Sequence, residues 1–109
     1  MKLKEFFKTH YTHETIMSCC EYNESLKEIS LSIKYCEWQL EEQKHLYTGY
    51  KLIFNNVYNI DNFNFFKIKD EFVLDLISKN NQITILLDVN EDTSLTFNFK
   101  DIDYKDFKA

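Results

Sequence analysis

A chain of 109 residues with 44% hydrophobic and 17% aromatic side chains holds enough apolar material for one buried core, and too little length for two. Its single Gly excludes a glycine-rich phosphate loop, and its thirteen basic residues are all Lys, without the guanidinium forks that phosphate and guanine recognition recruit. With a formal charge of -5 as well, no direct nucleic-acid binding is expected.

Apolar runs fall well short of the roughly 18 residues of a membrane span, and the opening MKLKEFFKTH lacks the apolar segment and cleavage site of a signal peptide. A cytoplasmic protein without membrane contact is expected. Cys19, Cys20 and Cys36 then read as small buried apolar residues, because an odd count in a reducing compartment does not suit a disulfide framework. The wealth of Lys, Asn, Ile, Phe and Tyr at the expense of Arg, Pro and Gly is the bias of AT-rich coding sequence, as in low-GC bacteria and their phages.

In chain order, Leu3, Phe6 and Phe7 stand at helical spacing among lysines and predict a short amphipathic helix over 2–9. Residues 13–22 are rich in strand formers and end at the turn signal Asn23-Glu24-Ser25. Ile29, Leu31, Ile33 and Tyr35 alternate with Glu28, Ser30, Ser32 and Lys34, the period of a strand with one dry face. Cys36, Trp38 and Leu40 then carry the apolar phase one residue out of step, which predicts a β-bulge or bend near Cys36. After a polar connection over 41–44, residues 47–58 predict a strand through Tyr50, Leu52 and Phe54, broken near Asn56.

Residues 61–68 read as an aromatic-rich loop followed by a short strand. The stretch 70–78 fits two periods: Phe72, Val73, Leu76 and Ile77 suit a helix, whereas Phe72, Leu74 and Leu76 alternate as in a strand, which is preferred here. Lys79-Asn80-Asn81-Gln82 predicts a hairpin turn into a strand from Ile83, and 90–93 a second turn. Leu95, Phe97 and Phe99 alternate in another strand, and Ile102-Asp103-Tyr104 forms a short last one. The expectation is a single domain over 1–109, mainly β and α+β only at its margin. Its antiparallel meander forms a sandwich or open barrel behind a short N-terminal helix.

No catalytic residue, metal or cofactor is expected. His10, His13 and His45 with Cys19, Cys20 and Cys36 supply zinc-type ligands, but no CxxC or HxxxH spacing joins them, and adjacent cysteines on a strand point to opposite faces. A small Cys/His metal protein or enzyme built on Cys36, His13 and His45 is the alternative from a different class. From Asp61 onward ten acidic residues outnumber six lysines and stand beside Phe63, Phe65, Phe66, Tyr104 and Phe107, rings that belong either to the core or to a contact surface. Carboxylates that steer encounter, next to rings that anchor it, suit docking on a basic protein surface. The candidate partner-binding residues are Asp61, Phe63, Phe65, Glu91, Asp92, Asp101, Asp103, Tyr104 and Asp106. Strand edges free of proline also admit pairing into a homodimer.

The segments His13-Glu14-Thr15-Ile16, Leu26-x-x-Ile29-x-Leu31-x-Ile33, Leu52-Ile53-Phe54-Asn55-Asn56-Val57 and Leu95-Thr96-Phe97-Asn98-Phe99 together resemble the small β-rich immunity proteins of bacterial polymorphic toxin systems and related uncharacterised bacterial proteins. Glu14 stands where those proteins more often carry Asp. The resemblance implies a non-enzymatic cytosolic inhibitor that occludes a toxin or other partner protein. A phage-encoded anti-defence protein, such as an anti-CRISPR inhibitor, is the same kind of object with a different target.

Overall fold

The computed structural model describes the backbone of residues 3–10, 12, 15–39, 44–88 and 93–108, and the side chains of these residues except 36–39, 44–47 and 107–108. Helix α1 (Leu3–Thr9) precedes β1 (Thr15–Asn23), β2 (Glu28–Gln39) and β3 (Lys44–Asn55). A 3-10 turn over Phe63–Lys67 leads to β4 (Glu71–Lys79), β5 (Gln82–Leu87), β6 (Ser94–Asn98) and β7 (Asp101–Lys108). Residues 61–69 therefore contain that turn in place of the expected short strand, and the last strand is eight residues long instead of three. The expected turn at 90–93 falls mainly outside the described residues.

All pairings are antiparallel, in the order β6-β5-β4-β1-β2-β3-β7. The meander occurs twice, as β1-β2-β3 and as β4-β5-β6, with β7 returning beside β3. The two meanders share one short ladder, Thr15, Ile16 and Met17 against Val73, Phe72 and Glu71. Both strands break register next to it, β1 between Met17 and Cys19 and β4 between Val73 and Asp75. Such bulges bend and twist a strand, and here they let the sheet curl without closing into a barrel. The irregularity expected near Cys36 is absent from the β2–β3 ladder, which keeps one register from Glu28–Asn55 to Gln39–Lys44.

With one Gly and no Pro, the turns use residues that tolerate a left-handed backbone. Asn56 (φ 54°) ends β3 and Asn80 (φ 55°) makes the β4–β5 hairpin, while Lys27 (φ 50°) closes the β1–β2 turn. These connections meet at one end of the sheet. Val57 N–H donates to Lys27 O at 3.0 Å, Phe99 N–H to Asn81 O at 3.0 Å and Lys100 N–H to Asn55 O at 3.1 Å.

The inner face is dry. Met17, Cys20, Ile29, Leu31, Ile33, Leu52 and Phe54 from one meander face Val73, Leu76, Ile83, Ile85, Leu95 and Phe97 from the other, all buried. Phe54 meets Phe97 edge-on, with ring centroids 5.0 Å apart at 87°, and Phe99 at 4.9 Å and 64°. Phe54 lies on β3 and Phe97 on β6, which are not neighbours in the sheet, with Phe99 just beyond β6, so the rings join the two halves through the core. Leu3 and Phe6 of α1 are buried as well, with Phe6 packed edge-on against Tyr50 at 5.0 Å, so the helix lies on the open side of the curl.

Phe97→Ala is expected to cost about 3–5 kcal/mol, the range for truncating a buried phenylalanine, and Phe54→Ala a similar amount. Because the two rings share one contact, the double variant should lose less than the sum. Urea unfolding followed by circular dichroism reads all three, and strict additivity would contradict the shared clamp.

Candidate protein-binding surface

β4 carries apolar residues on both faces. Val73 and Leu76 are buried although three apart, because the register break between Val73 and Asp75 adds a residue to the outer side. The outer face then presents Phe72, Leu74 and Ile77, which are 60, 53 and 45% exposed. Ile16 of β1 stands directly opposite Phe72 and Leu86 of β5 opposite Asp75, both half-buried, so the patch extends across three strands. Single exposed apolar residues are ordinary on a protein surface, whereas a cluster on one sheet face is a candidate contact site.

Carboxylates border the patch. Asp75 lies in β4, Asp70 immediately precedes it, and Asp88 is tied to it by its N–H donating to Phe72 O at 2.9 Å, whereas Glu71 stands opposite the buried Met17 and so belongs to the other face. Lys34, beside Ile16 across the ladder, is drawn to Asp70 at 3.4 Å. The surface is an apolar centre bordered by three carboxylates, with Lys34 and Lys79 on the same face, held on a strand paired on both sides.

The residues expected at the interface do not gather in one place. Phe65 is fully buried in the core and is not a surface contact: the 3-10 turn points it inward beside β1 and leaves Phe63 61% exposed. Phe66 stacks on Tyr22 with centroids 5.6 Å apart and shares the work of seating that turn. Asp61 is exposed but engaged, its carboxylate accepting Thr96 N–H at 2.8 Å. Asp101 and Asp103 are exposed on β7, with Tyr104 and Asp106 on the opposite face of the same strand. Glu91 and Asp92 lie outside the described residues. Sequence reasoning missed Phe72, Leu74 and Ile77 as surface residues. The available signal was the excess itself, five apolar residues among 72–77, more than a strand with one dry face can bury.

His10 binds α1 to β7. Its ring stacks on Phe6 with centroids 3.7 Å apart, Nε2 lies 3.0 Å from Asp106 Oδ1, and Nδ1 lies 3.1 Å from Phe6 O. Tyr50 and Tyr104 meet the same ring edge-on. The contact seats the helix over the core. Cys20 is buried opposite Leu31, and Cys19 is half-buried opposite Ser32, so the two thiols do face opposite ways. Among the described residues no three His, Cys, Asp or Glu side chains converge as metal ligands, and the side chains of His13, Cys36 and His45 lie outside them. A cleft between α1 and the β4–β5 turn is lined by Lys4, Tyr58, Ser78, Asn80, Asn81 and Asn98.

Among the described residues no helix is long and apolar enough to cross a membrane. Comparison with protein-family models, with curated proteins and with solved structures finds no match to this chain.

Burial drives the Cys20 thiol well above its ordinary range, with Cys19 and Glu21 adding to it, and burial followed by Tyr35 does the same to the Tyr50 hydroxyl. Both stay protonated in the fold where the unfolded chain ionises. Raised acids of this kind stabilise fully below their unfolded values and progressively less above them. Stability is therefore expected to fall as pH rises above about 8.5, the thiol contribution first and the tyrosine contribution above about 10. Thermal melts from pH 7 to 11 would check this, and Cys20→Val should flatten the first part of the decline.

Proposed function

We propose that this chain is a non-enzymatic cytoplasmic inhibitor that binds a partner protein and occludes it, in the manner of an immunity protein. The observation that supports the reading is the exposed apolar centre of β4, formed by Phe72, Leu74 and Ile77 and bordered by Asp70, Asp75 and Asp88. Buried rings and branched side chains supply affinity at the centre of an interface, while peripheral carboxylates accelerate encounter with a basic surface. The partner that fits is a protein with an apolar patch ringed by Lys or Arg. The excess of carboxylates, with a net charge of -5, favours that sign over an acidic or neutral partner. The resemblance to immunity proteins adds the biological setting, a toxin encoded beside its inhibitor.

Calorimetry against a panel of bacterial toxin domains and host-defence nucleases tests the proposal. Replacing Phe72, Leu74 and Ile77 by Ser is expected to weaken binding at least a hundredfold, since each such anchor contributes about 2 kcal/mol or more. The melting temperature should move little, because all three are exposed. Raising the salt concentration should lower the association rate more than it raises the dissociation rate. Wild-type affinity in the triple variant would overturn the proposal.

A further inference from the structure

The two edges of the sheet are finished differently. On β6 the chain covers its own outward-facing groups: Tyr58 and Asn98 exchange N–H to O bonds of 2.9 and 2.8 Å, and Asp61 N–H donates to Thr96 O at 3.2 Å. The Asp61 carboxylate takes Thr96 N–H at 2.8 Å and the Asn62 amide donates to Ser94 O at 2.9 Å. Nothing comparable covers β7 among the described residues.

Two bonds fix which groups of β7 are open. Lys100 N–H donates to Asn55 O, which aims Asn55 and, two by two, Ile53 and Lys51 at β7; their partners Asp101, Asp103 and Lys105 are the residues bonded to β3. Tyr104 N–H is bonded instead to the side chain of its own neighbour, Asp103 Oδ1, at 2.9 Å. Ile102, Tyr104 and Asp106 therefore turn their main-chain N–H and C=O away from the sheet.

We infer that this edge pairs with the same edge of a second copy of the chain, antiparallel about a twofold axis through Tyr104, giving a homodimer with one sheet running through both copies. Charge selects the occupant and the register. With the axis on Tyr104, Asp103 of each copy stands opposite Lys105 of the other, while Tyr104 faces Tyr104 and Ile102 faces Asp106, open groups against open groups. Placing the axis on Asp103 or on Lys105 would set like charges face to face, which destabilises a cross-strand pair. On pairing, the Asp103 carboxylate leaves Tyr104 N–H, which bonds across the axis, and turns to Lys105 of the second copy. In the monomer the same carboxylate caps the edge, so association is reversible and concentration-dependent. This surface is separate from the proposed partner site, since β1, β2 and β3 lie between β4 and β7.

Sedimentation velocity from micromolar to near-millimolar protein tests the inference with a charge swap. The wild type should dimerise, Asp103→Lys and Lys105→Asp should each weaken dimerisation at least tenfold, and the double variant D103K/K105D, with opposite charges again face to face, should recover it. Amide exchange at Ile102, Tyr104 and Asp106 should slow with concentration in the wild type and the double variant only. A wild type that stays monomeric throughout, single variants that dimerise as well as the wild type, or a double variant that stays monomeric would each overturn it. The Ser variant of the β4 patch should keep the dimer, so this inference and the proposed function fail independently.

Discussion

Three phenylalanine rings hold this fold in its curled form. Phe54 of β3 lies within 5.0 Å of Phe97 of β6 and within 4.9 Å of Phe99, measured between ring centroids. In the sheet itself the two meanders are joined only by the short ladder of Thr15–Met17 against Glu71–Val73, whose strands both break register beside it, so the shared core and the loop bonds to β6 carry the rest of the joint. Register breaks on both sides of a short ladder let the sheet bend there, and the edge-on aromatic contacts help to hold the two halves together through the core. The same cluster permits the direct passage from β6 to β7: Phe99 is buried where the chain leaves one edge of the sheet for the other, and Lys100 N–H bonds to Asn55 O as it arrives.

The bulge that lets β4 bend also makes its outer face unusual. An uninterrupted strand would bury alternate residues, but the extra residue keeps Val73 and Leu76 inside and turns both Leu74 and Asp75 outward. Thus the device that curls the sheet also gathers Phe72, Leu74 and Ile77 on a rigid, paired strand. A binding surface on such a strand loses little side-chain or backbone freedom when it is covered, which is the condition under which exposed apolar area converts into affinity.

Edge protection divides the two ends of the strand order in a similar way. The loop after β3 runs along β6 and takes up its open amides and carbonyls, and its 3-10 turn then buries Phe65 beside β1. β7 instead carries charges of both signs and a carboxylate folded back on its own backbone. Charged side chains blunt an edge against random pairing, yet an ordered sequence of charges can also choose a single partner register, and Asp103-Tyr104-Lys105 has that property. The His10–Asp106 contact keeps α1 on the inner side of the same strand, leaving the main-chain edge clear among the described residues.

Much of this was legible in the residues alone. Period-two alternation over Ile29–Tyr35, Tyr50–Phe54 and Leu95–Phe99 determined which side chains share a face, and the three strands fold with those faces buried apart from the half-buried Tyr35. Asn at 56 and 80 marked chain reversals, because with a single Gly few other side chains tolerate the left-handed backbone. The ambiguity over 70–78 was itself a reading of the bulge, since buried residues three apart imitate a helix. Alternation, however, says nothing about which face will be covered, or by what. That Phe65 is inside and Phe72 outside, that β4 pairs with β1, and that β6 is covered while β7 is open were decided only when segments far apart in sequence competed for the same interior. Closure of the core ranks those contacts by the volume and hydrogen bonds they satisfy together, quantities that no local pattern contains.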